Sequence, residues 1–96
     1  MLDSNKDYFY HQGTAEALVN KEIRRQLNLQ KEGKFTYIAY DKECPLIVRL
    51  AMLTEEVGEV ARAIQELDES NLKEELVQIA AIAVSWVARL EAEGIE

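Results

Sequence analysis

The stretch PLIVRLAMLTEEVGEVARAIQEL, residues 45–67, decides the fold. Its apolar residues recur at spacings of three and four, which places them along one side of a helix: Leu46, Leu50, Leu53, Val57, Val60, Ile64 and Leu67. Pro45 suits the first turn of such a helix, with Asp41 or Cys44 near the cap, because proline lacks the N–H that would have no partner there. The pattern therefore predicts a long amphipathic helix over about residues 45–67.

A first helix is predicted upstream, over about residues 15–32. Thr14 is suited to cap its start, and Gly33 can adopt the left-handed conformation that ends a helix. The connection KFTYIAYDKEC, residues 34–44, is rich in aromatic side chains but has no second strand to pair with. We therefore expect this connection to be a packed loop.

A third helix is predicted over about residues 72–93, because Asn71 and Glu74 form a capping-box pattern and Gly94 can end the helix. Its main apolar stripe is joined by further apolar residues outside that stripe: Val77, Ala81, Ile82 and Val84. A helix that is apolar on most sides needs neighbours on most sides, and three helices cannot supply them all. We expect one all-α domain over residues 1–96, a helical bundle completed by oligomerisation as a homodimer or homotetramer.

The charge of the chain limits its partners. Eighteen acidic residues against eleven basic ones give a formal net charge of −7, which disfavours nucleic acid and anionic membranes as partners. A nucleotide is still compatible with this charge, since a divalent cation reverses the local sign where carboxylates converge. The amino-terminal residues lack the apolar core of a signal peptide, no apolar run is long enough to span a bilayer, and one cysteine excludes an internal disulfide. A cytoplasmic protein is expected.

Acidic side chains concentrate on the second and third helices. Glu55 and Glu59 are four residues apart and Glu56 and Glu59 three apart, so these carboxylates can face one space. Glu75 and Gln78 have the same three-residue spacing on the third helix, and a short turn between antiparallel helices would bring the two sets level. Magnesium prefers such oxygen ligands. The alternative is an ordinary solvated helix surface.

The two sets of residues, EEVGE at 55–59 and ELVQ at 75–78, resemble the paired EExxE and ExxD motifs of the MazG-like all-α nucleoside triphosphate pyrophosphatases. The likeness covers roughly residues 45–90. It implies a magnesium-dependent enzyme, with manganese as a possible substitute, that hydrolyses an NTP or dNTP to a monophosphate and pyrophosphate. By position it implies Glu56, Glu59, Glu75 and Gln78 as metal ligands. The resemblance implies that Glu55 is either a group just outside the metal ligands or the base that orients the attacking water. Together with Glu56, Glu59 and Glu75 it forms the implied catalytic set.

Gln78 departs from the family pattern, which has aspartate at this position. An amide oxygen can bind magnesium but brings no negative charge, so the site loses one anionic ligand. Two interpretations stay open. The chain is either an enzyme of a subfamily that tolerates glutamine or a catalytically weakened helical module for oligomerisation or regulation.

Four residues are candidates for binding the substrate. Arg62 lies one turn beyond Glu59 and Lys73 starts the third helix, so either could neutralise phosphate charge, although each could equally serve in a surface ion pair. Tyr37 and Tyr40 could stack on a nucleobase, as could the upstream aromatics Tyr8, Phe9 and Tyr10. The alternative for all these aromatic side chains is packing in a core or an interface.

Overall fold

A computed structural model describes residues 4–96, with side chains from Lys6 onward. It consists of three helices, α1 (Ser4–Lys31), α2 (Leu46–Gln65) and α3 (Glu69–Ala92), and the described residues contain no strand. The predicted all-α fold is confirmed. None of the helices between Ser4 and Glu96 is long and apolar enough to span a bilayer.

The third helix lies between the other two. α3 packs against α2 and against α1, whereas the backbones of α1 and α2 stay apart in the part of the chain that is described. Ala63 of α2 and Ala81 of α3 are almost fully buried, and such small side chains let helices approach closely. α3 therefore forms the floor of a groove whose two walls are α1 and α2.

The first helix begins much earlier than the sequence suggested. It is continuous from Ser4, so the expected start near residue 15 with a Thr14 cap is wrong. The Thr14 hydroxyl donates to the Tyr10 carbonyl one turn back instead of capping, and Gln12 donates to Glu16 across the expected boundary at 2.8 Å. A lone Gly13 costs a helix only about 1 kcal/mol relative to alanine, too little to end it.

The turn between α2 and α3 also differs from the prediction. Asp68, and not Asn71, caps α3: its side chain accepts the Asn71 N–H at 3.0 Å, so the helix starts at Glu69. Leu67 lies outside α2 in a left-handed conformation with φ of 55°. The sequence pattern predicts Leu67 in the apolar stripe of α2, but its side chain is 88% exposed, so this prediction is wrong.

The loop between α1 and α2 is fixed to all three helices. Its Asp41 carboxylate accepts hydrogen bonds from the Ile38 N–H at 2.9 Å and from the Gln30 side chain of α1 at 2.6 Å. Arg49 of α2 donates to the Asp41 carbonyl, and Arg89 of α3 donates to the next carbonyl back along the loop at 2.7 Å. The packed loop is thus observed, and its shape is set by contacts with every helix.

Candidate functional site

Two of the predicted carboxylates, Glu56 and Glu75, meet where α2 packs against α3. We call Glu55, Glu56, Glu59 and Glu75 the acidic cluster. Three of its members, Glu56, Glu59 and Glu75, are half-buried, whereas Glu55 is exposed. α2 and α3 are joined by only three residues, so they run antiparallel and bring their acidic turns to the same level.

Glu56 and Glu75 form the centre of this cluster. Their carboxyl groups lie within hydrogen-bonding reach of each other. The pKa of Glu56 is raised from 4.5 to about 8, first because burial disfavours its charged form, then because of the hydrogen bond with Glu75 and the negative charges of Glu75, Glu55 and Glu59. With both groups ionised, Glu75 Oε2 is buried and has no hydrogen-bond partner. A proton, or a cation in its place, is therefore required between them.

Gln78 joins the same pair through its nitrogen. When the amide is oriented with its nitrogen toward Glu56, Nε2 donates to Glu56 Oε2 at 2.8 Å and to Glu56 Oε1 at 3.1 Å. An aspartate here would add a third negative charge beside Glu56 and Glu75. The glutamine instead supplies a donor, so it reduces the repulsion among the carboxylates in the absence of a cation.

Glu59 is directed to another partner. It forms an ion pair with Arg62 one turn along α2, and both side chains are partly exposed. Exposed pairs of this kind contribute at most about 0.5 kcal/mol to a helix. The structure thus gives Arg62 a role on its own helix, and Arg62 lines neither of the cavities described below.

The fit of the site to a metal ion is partial. Between residues 4 and 96, no group of three or more His, Cys, Asp or Glu side chains is gathered closely enough to hold a metal ion. The unpartnered Glu75 oxygen and the raised pKa of Glu56 are nevertheless the marks of a site short of positive charge. For all four predicted ligands to bind one ion, Glu59 must exchange Arg62 for the metal, and Gln78 must turn its oxygen inward.

A cavity of about 410 Å³ opens beside the cluster, and we call it the loop pocket. Its size falls within the range of about 300–1,000 Å³ that small-molecule sites occupy. Glu55, Glu56 and Gln78 line it together with α1 residues Arg25 and Gln26. Its apolar wall comes from the loop and from α2 and α3: Phe35, Tyr37, Ile38, Val48, Met52 and Ile82. Acidic and aromatic groups therefore share one cavity.

The structure separates the predicted aromatic residues. Tyr37 lines the loop pocket, but Tyr40 does not. The Tyr40 ring instead lies against the Arg89 guanidinium, 4.3 Å from its centre, in a cation–π contact that fixes the loop. Tyr8, Phe9 and Tyr10 are exposed near the start of α1, outside the loop pocket.

A second cavity, the α1–α3 cleft, has a volume of about 650 Å³. It contains Lys73, together with the α1 residues Lys21 and Arg25. Arg25 and Gln78 border both cavities, so the cleft and the loop pocket adjoin. Lys73 thus lies in a cavity that adjoins the loop pocket, and none of the four residues of the acidic cluster lines this cavity.

Sequence reasoning missed the contribution of α1 to the site. Glu22, Gln26 and Gln30 follow Leu18 at successive spacings of four, which puts three polar residues on the apolar face of the helix. Of these, Gln26 is buried and the other two are half-buried. Polar residues in phase with an apolar stripe were the signal available in the sequence.

The fold and the site together define an all-α protein in which Glu55 and Glu56 of α2 and Gln78 of α3 face a partly aromatic pocket. Residues 48–94 match the family model of the MazG nucleotide pyrophosphohydrolase domain. The match covers nearly all of α2 and the whole of α3, including the full acidic cluster. It confirms the predicted resemblance: over its second and third helices this chain is MazG-like. The chain matches no curated protein and no solved structure.

Proposed function

We propose that this protein is a divalent-metal-dependent nucleoside triphosphate pyrophosphohydrolase that converts an NTP or dNTP to a monophosphate and pyrophosphate. One observation supports this most directly: Glu55, Glu56 and Gln78 line the same pocket as Phe35 and Tyr37. Oxygens of a type that can bind a metal ion and an aromatic surface suited to a nucleobase are thus adjacent, which supports a nucleotide substrate. The match to the MazG nucleotide pyrophosphohydrolase domain supports the same class of reaction.

Glu56, Glu59, Glu75 and Gln78 are the groups that would hold magnesium, or manganese in its place. The metal would supply charge neutralisation at the phosphates and a more acidic water. A triphosphate brings further oxygen ligands, and magnesium usually completes its shell with such phosphates and waters. This complements a protein site that offers few ligands of its own.

The side chains of the chain have separate tasks in the proposed reaction. Glu55 is the exposed member of the cluster at the loop pocket, so it can accept a proton from the attacking water without losing a structural contact. Lys73 and Arg25, in the adjoining cleft, can balance the charge of the departing pyrophosphate. Tyr37 and Phe35 provide the apolar wall that orients the base.

The second candidate function is a helical module with weakened or absent turnover. Gln78 favours it, because the amide presents its nitrogen to Glu56 and compensates the carboxylates without a metal. In this case the cluster would be stable without magnesium, and the loop pocket would have no catalytic use.

A screen of ribo- and deoxynucleoside triphosphates with magnesium or manganese separates the two candidates. We expect at least one nucleotide to yield pyrophosphate and monophosphate in equal amounts. Glu75→Gln should abolish this turnover while the metal-free fold persists, because the new amide can donate to Glu56. Glu91→Gln, an exposed change on the same helix, is the matched control. No pyrophosphate from any nucleotide, with no magnesium-induced rise in melting temperature, would favour the helical module.

We further propose that the active form is a homodimer or homotetramer. The apolar stripe of α2 is largely uncovered in the single chain, with Leu50, Val57 and Ile64 at least half exposed, and Leu76 and Val87 of α3 are similarly exposed. Exposure of apolar side chains to water on this scale on α2 and α3 is unfavourable for an isolated monomer. Sedimentation should show more than one chain per particle, and Val57→Lys should reduce the mass. A wild-type monomer at micromolar concentration would contradict this proposal.

A further inference from the structure

Gln26 is the only buried member of the polar side chains that line the loop pocket, with 9% of its surface exposed. It projects from α1, which lies outside the segment 48–94 that matches the family model. The other polar groups around the pocket are half-buried or exposed, so they can move or exchange with water. Gln26 is therefore the polar group of this pocket with the least freedom to adapt to a ligand.

The orientation of its amide is fixed by a neighbouring ion pair. Gln26 Nε2 donates to Glu22 Oε2 at 3.0 Å. Glu22 is held in turn by two hydrogen bonds of 2.8 Å from Arg25. Burial alone would raise the pKa of Glu22, but the hydrogen bonds from Arg25 and Gln26 and the Arg25 charge lower it, so Glu22 is ionised at neutral pH. A flipped amide would set its oxygen against this carboxylate.

The fixed orientation leaves one strong acceptor for a ligand. Gln26 Oε1 receives no hydrogen bond from any side chain or backbone group in the described part of the chain, yet it is not among the atoms sealed from solvent. The amide nitrogen also retains a second hydrogen. An acceptor and a donor side by side match the edge of a base that has an exocyclic amino group next to an unprotonated ring nitrogen.

We infer that Gln26 makes the loop pocket selective for nucleotides whose base has an amino group at its pairing edge, as in cytosine and adenine, over the keto counterparts uracil and hypoxanthine. Glu22 is the positioning residue, because it holds the amide in the orientation that suits an amino group. This inference rests on the proposed function only in that the pocket receives the base of the substrate.

A keto base presents the reverse pattern. Its carbonyl oxygen would face Gln26 Oε1 with no proton between them, and its ring N–H would face the amide nitrogen. Accepting it requires the amide to turn and to give up its bond to Glu22. A keto base would leave its carbonyl oxygen and the Gln26 oxygen without hydrogen-bond partners. This loss corresponds to a preference for the amino base on the order of tenfold to a hundredfold in kcat/KM.

The test compares kcat/KM for CTP with UTP and for ATP with ITP. In the wild type we expect the amino nucleotide to be favoured at least about tenfold in each pair. In Glu22→Ala the amide can turn, so the ratio should fall toward one, chiefly because kcat/KM for UTP and ITP rises. A general loss of structure would lower all four values and would not raise two of them. Glu16→Ala breaks a similar Gln–Glu pair, with Gln12 at 2.8 Å on the same helix but outside the pocket, and should leave the ratios unchanged.

Binding of CMP and UMP, measured by calorimetry on the wild type, separates this inference from the proposed function. Tighter binding of CMP by a protein that cleaves no triphosphate would support Gln26 selectivity and refute the proposed enzyme. Equal cleavage of CTP and UTP and of ATP and ITP would refute the selectivity and leave the enzyme standing. Ratios that do not change in Glu22→Ala would also overturn the inference, since the amide would then not depend on that carboxylate.

Discussion

Magnesium binding should depend steeply on pH, because the cation has to displace a proton from Glu56. That carboxyl group has a pKa raised from 4.5 to about 8, primarily by burial and then by the hydrogen bond and charge of Glu75. Only the ionised form can bind a metal. The magnesium affinity should therefore rise as the pH increases toward 8 and level off above it.

The size of the effect follows from competition between one proton and one cation. With a pKa of about 8, the apparent magnesium affinity should be about 25-fold weaker near pH 6.5 than near pH 8.5. Calorimetric titration in two buffers of different ionisation enthalpy measures both the affinity and the protons released. Nearly one proton should be released per metal bound near pH 6.5, and about a quarter of one near pH 8.5.

Two variants sharpen this measurement. Glu55→Gln removes one of the negative charges that raise the pKa of Glu56, so the pH dependence should shift to lower pH. Glu91→Gln, an exposed change away from the cluster, should leave the curve in place. An affinity that stays constant across this pH range, with no proton released, would refute the assignment of a shared proton to Glu56 and Glu75.

Further predictions concern the cluster and the loop. In the metal-free protein, the Glu56 proton should contribute stability that is fully present below pH 4.5 and is lost as the pH rises through about 8, so Glu56→Gln should flatten that decline in thermal melts. Glu59→Gln should lower turnover at least about 100-fold with an unchanged circular dichroism spectrum, since it removes a proposed ligand without creating a cavity; near-normal turnover would remove Glu59 from the site. Gln78→Asp should tighten magnesium binding about tenfold in calorimetry, because it adds an anionic ligand, and an unchanged affinity would place this residue outside the metal shell. Arg89→Ala should destabilise the fold by about 2 kcal/mol in urea unfolding, because it removes both the 2.7 Å bond to the Tyr40 carbonyl and the contact with the Tyr40 ring; a loss below about 0.5 kcal/mol would contradict this role.

The two helices that carry the acidic cluster were predictable because their signals are local. Apolar spacings of three and four defined α2 to within two residues at each end, and the paired motifs placed Glu56 and Glu75 on adjacent helices. The helix starts were less predictable. Both Thr14 and Asn71 have side chains that can cap, but Thr14 bonds back to Tyr10 within a longer α1, and the neighbouring Asp68 caps α3.

The pocket was not predictable from the sequence, because its parts come together through contacts between distant residues. Gln30 reaches Asp41 eleven residues away, and Arg89 reaches Tyr40 across forty-nine. No local pattern encodes such pairs. Tyr37 and Tyr40 are three residues apart and look equivalent in sequence, yet one lines the loop pocket and the other lies against an arginine.

The loop tied to three helices has a consequence for how substrate preference can change. Hydrogen bonds at Tyr40 and Asp41 hold this loop in the absence of a ligand, so the proposed binding of a nucleotide would incur little loss of conformational entropy there. An exchanged side chain at Phe35 or Tyr37 should alter affinity directly, since both residues line the loop pocket and the hydrogen bonds of the loop limit its rearrangement. These positions precede residues 48–94, where the acidic cluster lies. If the proposed function holds, substitutions at these two loop positions would change recognition of the base and leave the acidic cluster intact.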